Sequence, residues 1–435
     1  MARRLLLDVR PLRESPAFRR LFLGSTLSQV GTAMTTYAVA LQVFTLTGSS
    51  AAVGGVGLSA AVPSICMGLF GGAIIDAVDR RKLVLLTSSG LTAVSIGFTV
   101  QAFAGLRQVW LLYALVAAQY LIASLNGPAR RTFTPRLLPA HLLPAGIALS
   151  MLSMHVGLIA GPPLAGLITG AGGLRLCYLA DAVTFLAALY GVARAPAMPP
   201  DGTRARPGLR AVGDGLRFIR GSRALLGALL SDLSATALAM PFALFPAINA
   251  ERFGGSPRTL GLLTAAVATG GIIGTAFSGP VSQVSRPGRA MLGCVLGWGV
   301  SLIGFGLVRS FPLTFGCLVA AGVADVLSVV FRTTITQTAT PDNYRGRVGA
   351  AEFVVGAAAP QLGNFRAGVL GSLTTPSTSA TIGGLSSLVG AAVLTVTLPA
   401  LIRYRAPHLT TPPALPTPPP SLGTPAEPAE PATPG

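Results

Sequence analysis

Four carboxylic acids lie inside long apolar stretches of this chain: Asp181, Asp232, Asp325 and, just inside the start of its stretch, Glu352. The other ten of its fourteen acids fall in turns, in a central linker or near the ends. An ionisable group at mid-membrane costs about 2.5 to 3.5 kcal/mol on insertion scales, so each one invites a functional reading. A partly desolvated carboxyl can take up and release a proton near neutral pH, so proton exchange is the chemistry these acids could do. His155 is a lone histidine, suited to a hydrogen bond with a neighbouring carbonyl or to proton relay. Hydrolytic and nucleotide chemistry lack their motifs: there are three histidines, no HExxH, no clustered acids and no GxxxxGK loop. No enzyme is expected, and ATP is not the direct driver. Cys66, Cys177, Cys294 and Cys317 have no paired spacing, so neither a disulfide framework, a metal site nor a cofactor is expected.

The elements that must position these acids follow from composition. The chain has 435 residues, 51% of them hydrophobic and 11% charged, with a mean hydropathy of +0.65. Soluble domains carry about 25% charged residues. The apolar residues come in runs of about 20, the length that crosses a hydrocarbon core as helix. Spans are predicted at 18–46, 51–75, 83–105, 109–128, 143–169 and 174–194, then at 223–249, 258–282, 290–309, 311–331, 348–373 and 379–402. The net charge of +18 does not point to nucleic acid, because the basic residues alternate in density between the runs. With the N-terminus in the cytoplasm, 26 of the 32 Lys and Arg fall on the inside, which places both termini there. No cleaved signal is expected, since Asp8, Arg10 and Pro11 interrupt the first apolar run.

The two halves repeat at an offset of about 206 residues. Thr132, Thr134 and Pro135 match Thr338, Thr340 and Pro341; Gly55 matches Gly261, Gly157 matches Gly363, Met34 matches Met240 and Arg80 matches Arg286. Parallel six-helix repeats are a transporter architecture. The expected organisation is a cytoplasmic segment over 1–17, a six-helix bundle over 18–194 and a cytoplasmic linker with an amphipathic helix over 195–222. A second six-helix bundle follows over 223–405, then a disordered Pro-rich cytoplasmic tail over 406–435. In the linker, Leu209, Val212, Leu216 and Ile219 recur at helical spacing, which suits a helix on the cytoplasmic leaflet or a solvated one.

Between the second and third spans, GGAIIDAVDRRKLVLL resembles the loop signature of the major facilitator superfamily. The resemblance gives Asp76, four residues after Gly72, a place facing the start of the eleventh helix, where it steadies one of the alternating conformations; Arg80, Arg81 and Lys82 form the basic cluster. Ala77 and Asp79 depart from the common pattern, where an arginine and a glycine are usual. In the fifth span HVGLIAGPPLAG, with Gly157, Gly161, Pro162, Pro163 and Gly166, is similar to the signature of the superfamily's proton-antiporting exporters; read from its residues alone, it is a thinned, bent helix. ADVLSVVFRTTITQTATPDNYRGRVGA and LGNFRAG, with QVFTLTGSSAAVGGVGL, GDGLRFIRG and YLADAVTFL, resemble the efflux branch containing the enterobactin exporter. This likeness covers residues 15 to 405.

The resemblance implies an all-α membrane protein with twelve helices in two pseudo-symmetric six-helix bundles, spans 1, 4, 7 and 10 lining a central cavity. It puts Asp232 and Asp325 within reach of water and substrate, which makes them the candidates to exchange the coupling proton, and it gives Asp181, on an outward-packing helix, a structural role. Gln29, Thr36, Gln119 and Asn126 are the candidates to bind substrate or to serve as interhelical glue, and Arg366 to attract an anionic group or pair with an acid. The implied function is secondary active transport in the inner membrane, best read as proton-coupled export of a siderophore, antibiotic or other drug-like molecule by a monomer. The partners would be protons, a small molecule and the bilayer, with no nucleic acid. An uptake or facilitative carrier is the alternative, and a membrane sensor or intramembrane enzyme a distant one.

Overall fold

The computed structural model describes residues 8–194, 209–277 and 284–405, apart from the side chains of 68–77 and 209–211. It holds no strand among these residues. The membrane helices are α1 (Pro16–Thr47), α2 (Ser50–Ala77), α3 (Arg80–Phe103), α4 (Val109–Arg131), α5 (143–172) and α6 (174–193). The second half contributes α7 (Arg223–Ala239, continued as Phe245–Phe253), α8 (Pro257–Ala276), α9 (Pro287–Leu307), α10 (Phe311–Ala339), α11 (Arg345–Leu373) and α12 (Pro376–Thr397).

Local chemistry sets the ends. Ser15 accepts from the N–H of Phe18 to open α1, with Pro16 at the first helical position, and Gly48 closes it in the left-handed region at φ 65°. Ser49, Asp79 and Thr375 cap α2, α3 and α12 in the same way. Helices α5 and α6 run into one another with only Gly173, at φ 77° and ψ 178°, turning the chain between them; few residues but glycine adopt that pair of angles. Ten helical runs among the described residues are long and apolar enough to cross a membrane. The α5–α6 run counts there once, and α11, which carries Glu352, Gln361, Asn364 and Arg366, falls short on hydropathy.

The surface is apolar where a soluble protein's would be polar: Leu86 is 72% exposed and Val396 80%. Those side chains face lipid, so burial of apolar surface does not hold the helices together. Small residues do, by letting backbones approach. A Cβ on Gly157 would overlap Gln29 of α1, and one on Gly363 the carbonyl of Thr236 in α7, so two matched glycines do the same task in the two halves.

The seventh span departs from the continuous helix predicted over 223–249. It stops at Ala239, Met240 is extended (ψ 122°), a short turn covers Phe242–Leu244, and the helix resumes at Phe245. Pro241 and Pro246 have no N–H to offer the preceding turn. The linker helix, Leu209–Gly221, lies against the second bundle. Val212, Leu216 and Phe218 pack against the core, Ile219 is buried, and Phe218 stacks on Tyr344 at 4.4 Å just before α11. The predicted Pro-rich tail beyond residue 405, and 195–208 of the linker, lie outside the described residues.

Candidate functional site

A cavity of about 550 Å³ lies between the halves, walled by α1, α2, α4 and α5 on one side and α7, α8, α10 and α11 on the other. Gln29, Thr32 and Thr36 reach it from α1 at intervals of three and four, which is one helical face. Gln119 and Tyr120 join them from α4, so three of the substrate-contact candidates, Gln29, Thr36 and Gln119, line this cavity. His155 lines the cavity while its Nδ1 lies 2.8 Å from the carbonyl of Met151, to which it donates. Sequence reasoning missed Gln361 and Asn364 of α11 and Thr264 of α8, which also line the cavity. The signal for the first two was present: polar residues three apart, on one face of the helix.

The acids separate. Asp325 lines the cavity and is its one carboxylate among the described residues. Asp232, on α7, is instead ion-paired with Arg332, seven residues beyond Asp325 on α10. Both side chains of the pair are largely shielded, and Glu352 of α11 nearby accepts a hydrogen bond from Thr336 at 2.7 Å. Asp181 is fully buried within the first half, where its Oδ2 accepts from Thr35 of α1 at 2.7 Å and Ser95 of α3 at 2.6 Å. It ties three helices together.

Two further candidates face elsewhere. Asn126 donates to Thr87 at 2.8 Å and Ser88 at 3.0 Å, joining α4 to α3 beside a smaller cavity of about 140 Å³. Arg366 turns toward α7 and α12, and its Nη2 donates to the carbonyl of Leu238. In the loop signature, Asp79 caps α3 through the N–H of Lys82 at 3.0 Å, and Arg81 donates to the carbonyl of Ala193 at the end of α6 at 2.9 Å. Both contacts stay within the first half. The side chains of Gly72 and Asp76 fall outside the described residues.

The exporter-like motif of α5 sits at a contact between halves. A Cβ on Gly166 would overlap the carbonyl of Pro257, and one on Gly261 of α8 the carbonyl of Pro162. The equivalent contact in the repeat is α2 on α11, where a Cβ on Gly368 would overlap the carbonyl of Ser50. Tyr37 crosses at the same end, donating to Pro257 at 2.7 Å. Close backbone packing thus joins the halves at the end that carries the α1–α2 and α7–α8 turns.

Residues 8–417 match the transmembrane secretion effector family. Enterobactin exporters of Shigella boydii serotype 18 and Escherichia coli O139:H28 are each 31% identical over 407 residues, 92% of this chain and 96% of theirs. The crystal structure of the nucleoside transporter NupG superposes with a TM-score of 0.72 at 12% identity, covering 89% of this chain and 99% of that one. A bacterial homologue of the human lysosomal transporter Spinster, inward-facing and unoccupied, gives 0.66 at 15% identity, covering 91% and 97%. These two share its fold. The chain is a multi-pass inner-membrane protein that belongs to the transmembrane secretion effector family of major facilitator superfamily transporters.

Proposed function

We propose that this transporter is a proton-coupled exporter of a small molecule, a siderophore, antibiotic or other drug-like metabolite, working as a monomer by alternating access. The observation that carries the coupling is the position of Asp325, a carboxyl at the wall of the cavity between the halves, with Arg332 of the Asp232–Arg332 pair about two turns along the same helix. Proton exchange at such a wall changes the charge that the cavity presents to its contents. Export is supported by the likeness to enterobactin exporters and by the seating of the α5 motif on α8. The arginine bias puts both termini inside, so the tightly packed end faces out and loading is from the cytoplasm. One charge crossing 100 mV releases about 2.3 kcal/mol, enough for roughly a fortyfold gradient of a neutral solute. The Gly72–Lys82 loop, Asp76 above all, is assigned to conformational switching.

Deleting the gene should cause its substrate to accumulate inside cells, read by mass spectrometry of cell extract against medium. Purified protein in liposomes should then move that substrate only with a proton gradient. Asp325→Asn should lose this dependence while still inserting in the membrane, and Asp232→Asn, which strands Arg332, should impair it. Unaltered proton-driven transport in both variants would sink the coupling assignment.

A further inference from the structure

Arg130, at the end of α4, borders the smaller cavity with Gln29, Gln119, Asn126 and Ser28. Its guanidinium has no carboxylate partner among the described residues. Its side-chain contact is Nη1 to Ser25 Oγ at 3.3 Å, and its Nε is buried without an acceptor. A partly buried cation whose Nε is shut off from any acceptor is costly to leave unpaired, and an anion is what offsets the cost.

The surroundings fit one. Gln119, Asn126 and Arg130 fall on a single stripe of α4, spaced seven and four apart, opposite Ser25 and Gln29 of α1. Asn126 has its donors engaged by Thr87 and Ser88, whereas the amides of Gln29 and Gln119 have no protein partner among the described residues. The two cavities meet at Gln29, Thr32 and Gln119, which line both. At about 140 Å³ the smaller one is below the roughly 300 Å³ at which pockets begin to hold whole ligands, so it suits a charged group and not a body.

We infer that Arg130, with the amides of Gln29 and Gln119, forms a subsite for an anionic group, a carboxylate or a similarly compact oxyanion, carried by a transported molecule whose apolar body occupies the central cavity. The planar guanidinium and two amide N–H donors match the acceptors of such a group. The inference rests on the reading of the central cavity as the substrate path.

The test compares 2-naphthoate with its neutral near-isostere 2-naphthamide by equilibrium dialysis against the full chain in phosphatidylcholine nanodiscs, with no gradient. Naphthoate should bind about tenfold more tightly than the amide, a difference of about 1.4 kcal/mol. Arg130→Gln should abolish that preference and leave naphthamide binding unchanged. Arg130→Lys should restore part of it, and Gln119→Leu should reduce it without altering gel-filtration behaviour. Equal binding of the two probes, no saturable naphthoate binding, or a preference that survives Arg130→Gln would overturn the subsite. Competition by added phosphatidylglycerol would overturn it too, by giving the anion site to a lipid headgroup. Because no gradient is applied, Arg130-dependent binding without proton-driven export would leave the subsite standing and the coupling reading refuted, and the converse result would do the reverse.

Discussion

Arg366 of α11 donates a hydrogen bond to the carbonyl of Leu238, one of the acceptors freed where α7 breaks. Two residues earlier, Asn364 accepts from the N–H of Ala243 at 3.4 Å, a donor freed on the far side of the same break. One segment of α11 thus serves both sides of a discontinuity that opens onto the central cavity. A broken helix at membrane depth needs such partners for the backbone groups that it frees.

Arg366→Met should therefore destabilise the protein by about 1 to 3 kcal/mol, the cost of a backbone acceptor left without a donor at membrane depth. Arg366→Lys should recover part of the loss. Thermal unfolding in detergent checks both. A Met variant as stable as the parent would show that the α7 break needs no clamp.

The Asp232–Arg332 pair makes a different prediction. Removing one partner of a buried ion pair strands the other at a cost of about 3 to 5 kcal/mol, whereas removing both leaves no uncompensated charge. Asp232→Asn and Arg332→Gln should each lower stability more than the two combined. A double-mutant cycle on unfolding measures the coupling, and simple additivity would count against the pair.

Gly261 and Gly368 occupy equivalent contacts between the halves, each facing a backbone carbonyl of the opposite half. A valine at either should overpack the closed end by about 1 to 3 kcal/mol and shift the protein toward the conformation open there. In a background without the native cysteines, a Cys at Thr264 in the cavity should react faster with an impermeant maleimide added outside. An unchanged labelling rate would mean that these glycines do not govern closure.

Asp181 separates structural from coupling carboxyls. Asp181→Asn keeps an oxygen to accept from Thr35 and Ser95 and should leave transport intact, with stability lowered by about 1 kcal/mol at most. Asp181→Leu orphans two buried hydroxyls and should cost about 1 to 3 kcal/mol for each. Loss of proton dependence in the Asn variant, with folding preserved, would reassign this acid to coupling.

The amino-acid sequence by itself determined the number and order of the spans, the charge asymmetry and the repeat, but not the break in the seventh span. The bilayer demands about 20 apolar residues per crossing and internal satisfaction of every backbone polar group, and caps such as Ser15 and Asp79 are local chemistry. What each polar side chain faces was decided only by the tertiary structure. In a soluble helix the polar stripe marks the outside, but here lipid and protein interior are both apolar, so rotation about the helix axis leaves little trace in the sequence. Hence Asn126 and Gln119, on one helix, could not be told apart, yet one joins α3 and the other lines the central cavity. Asp232 and Asp325 likewise looked equivalent until Arg332, on a helix remote in sequence from α7, was seen to claim the first and leave the second at the cavity wall.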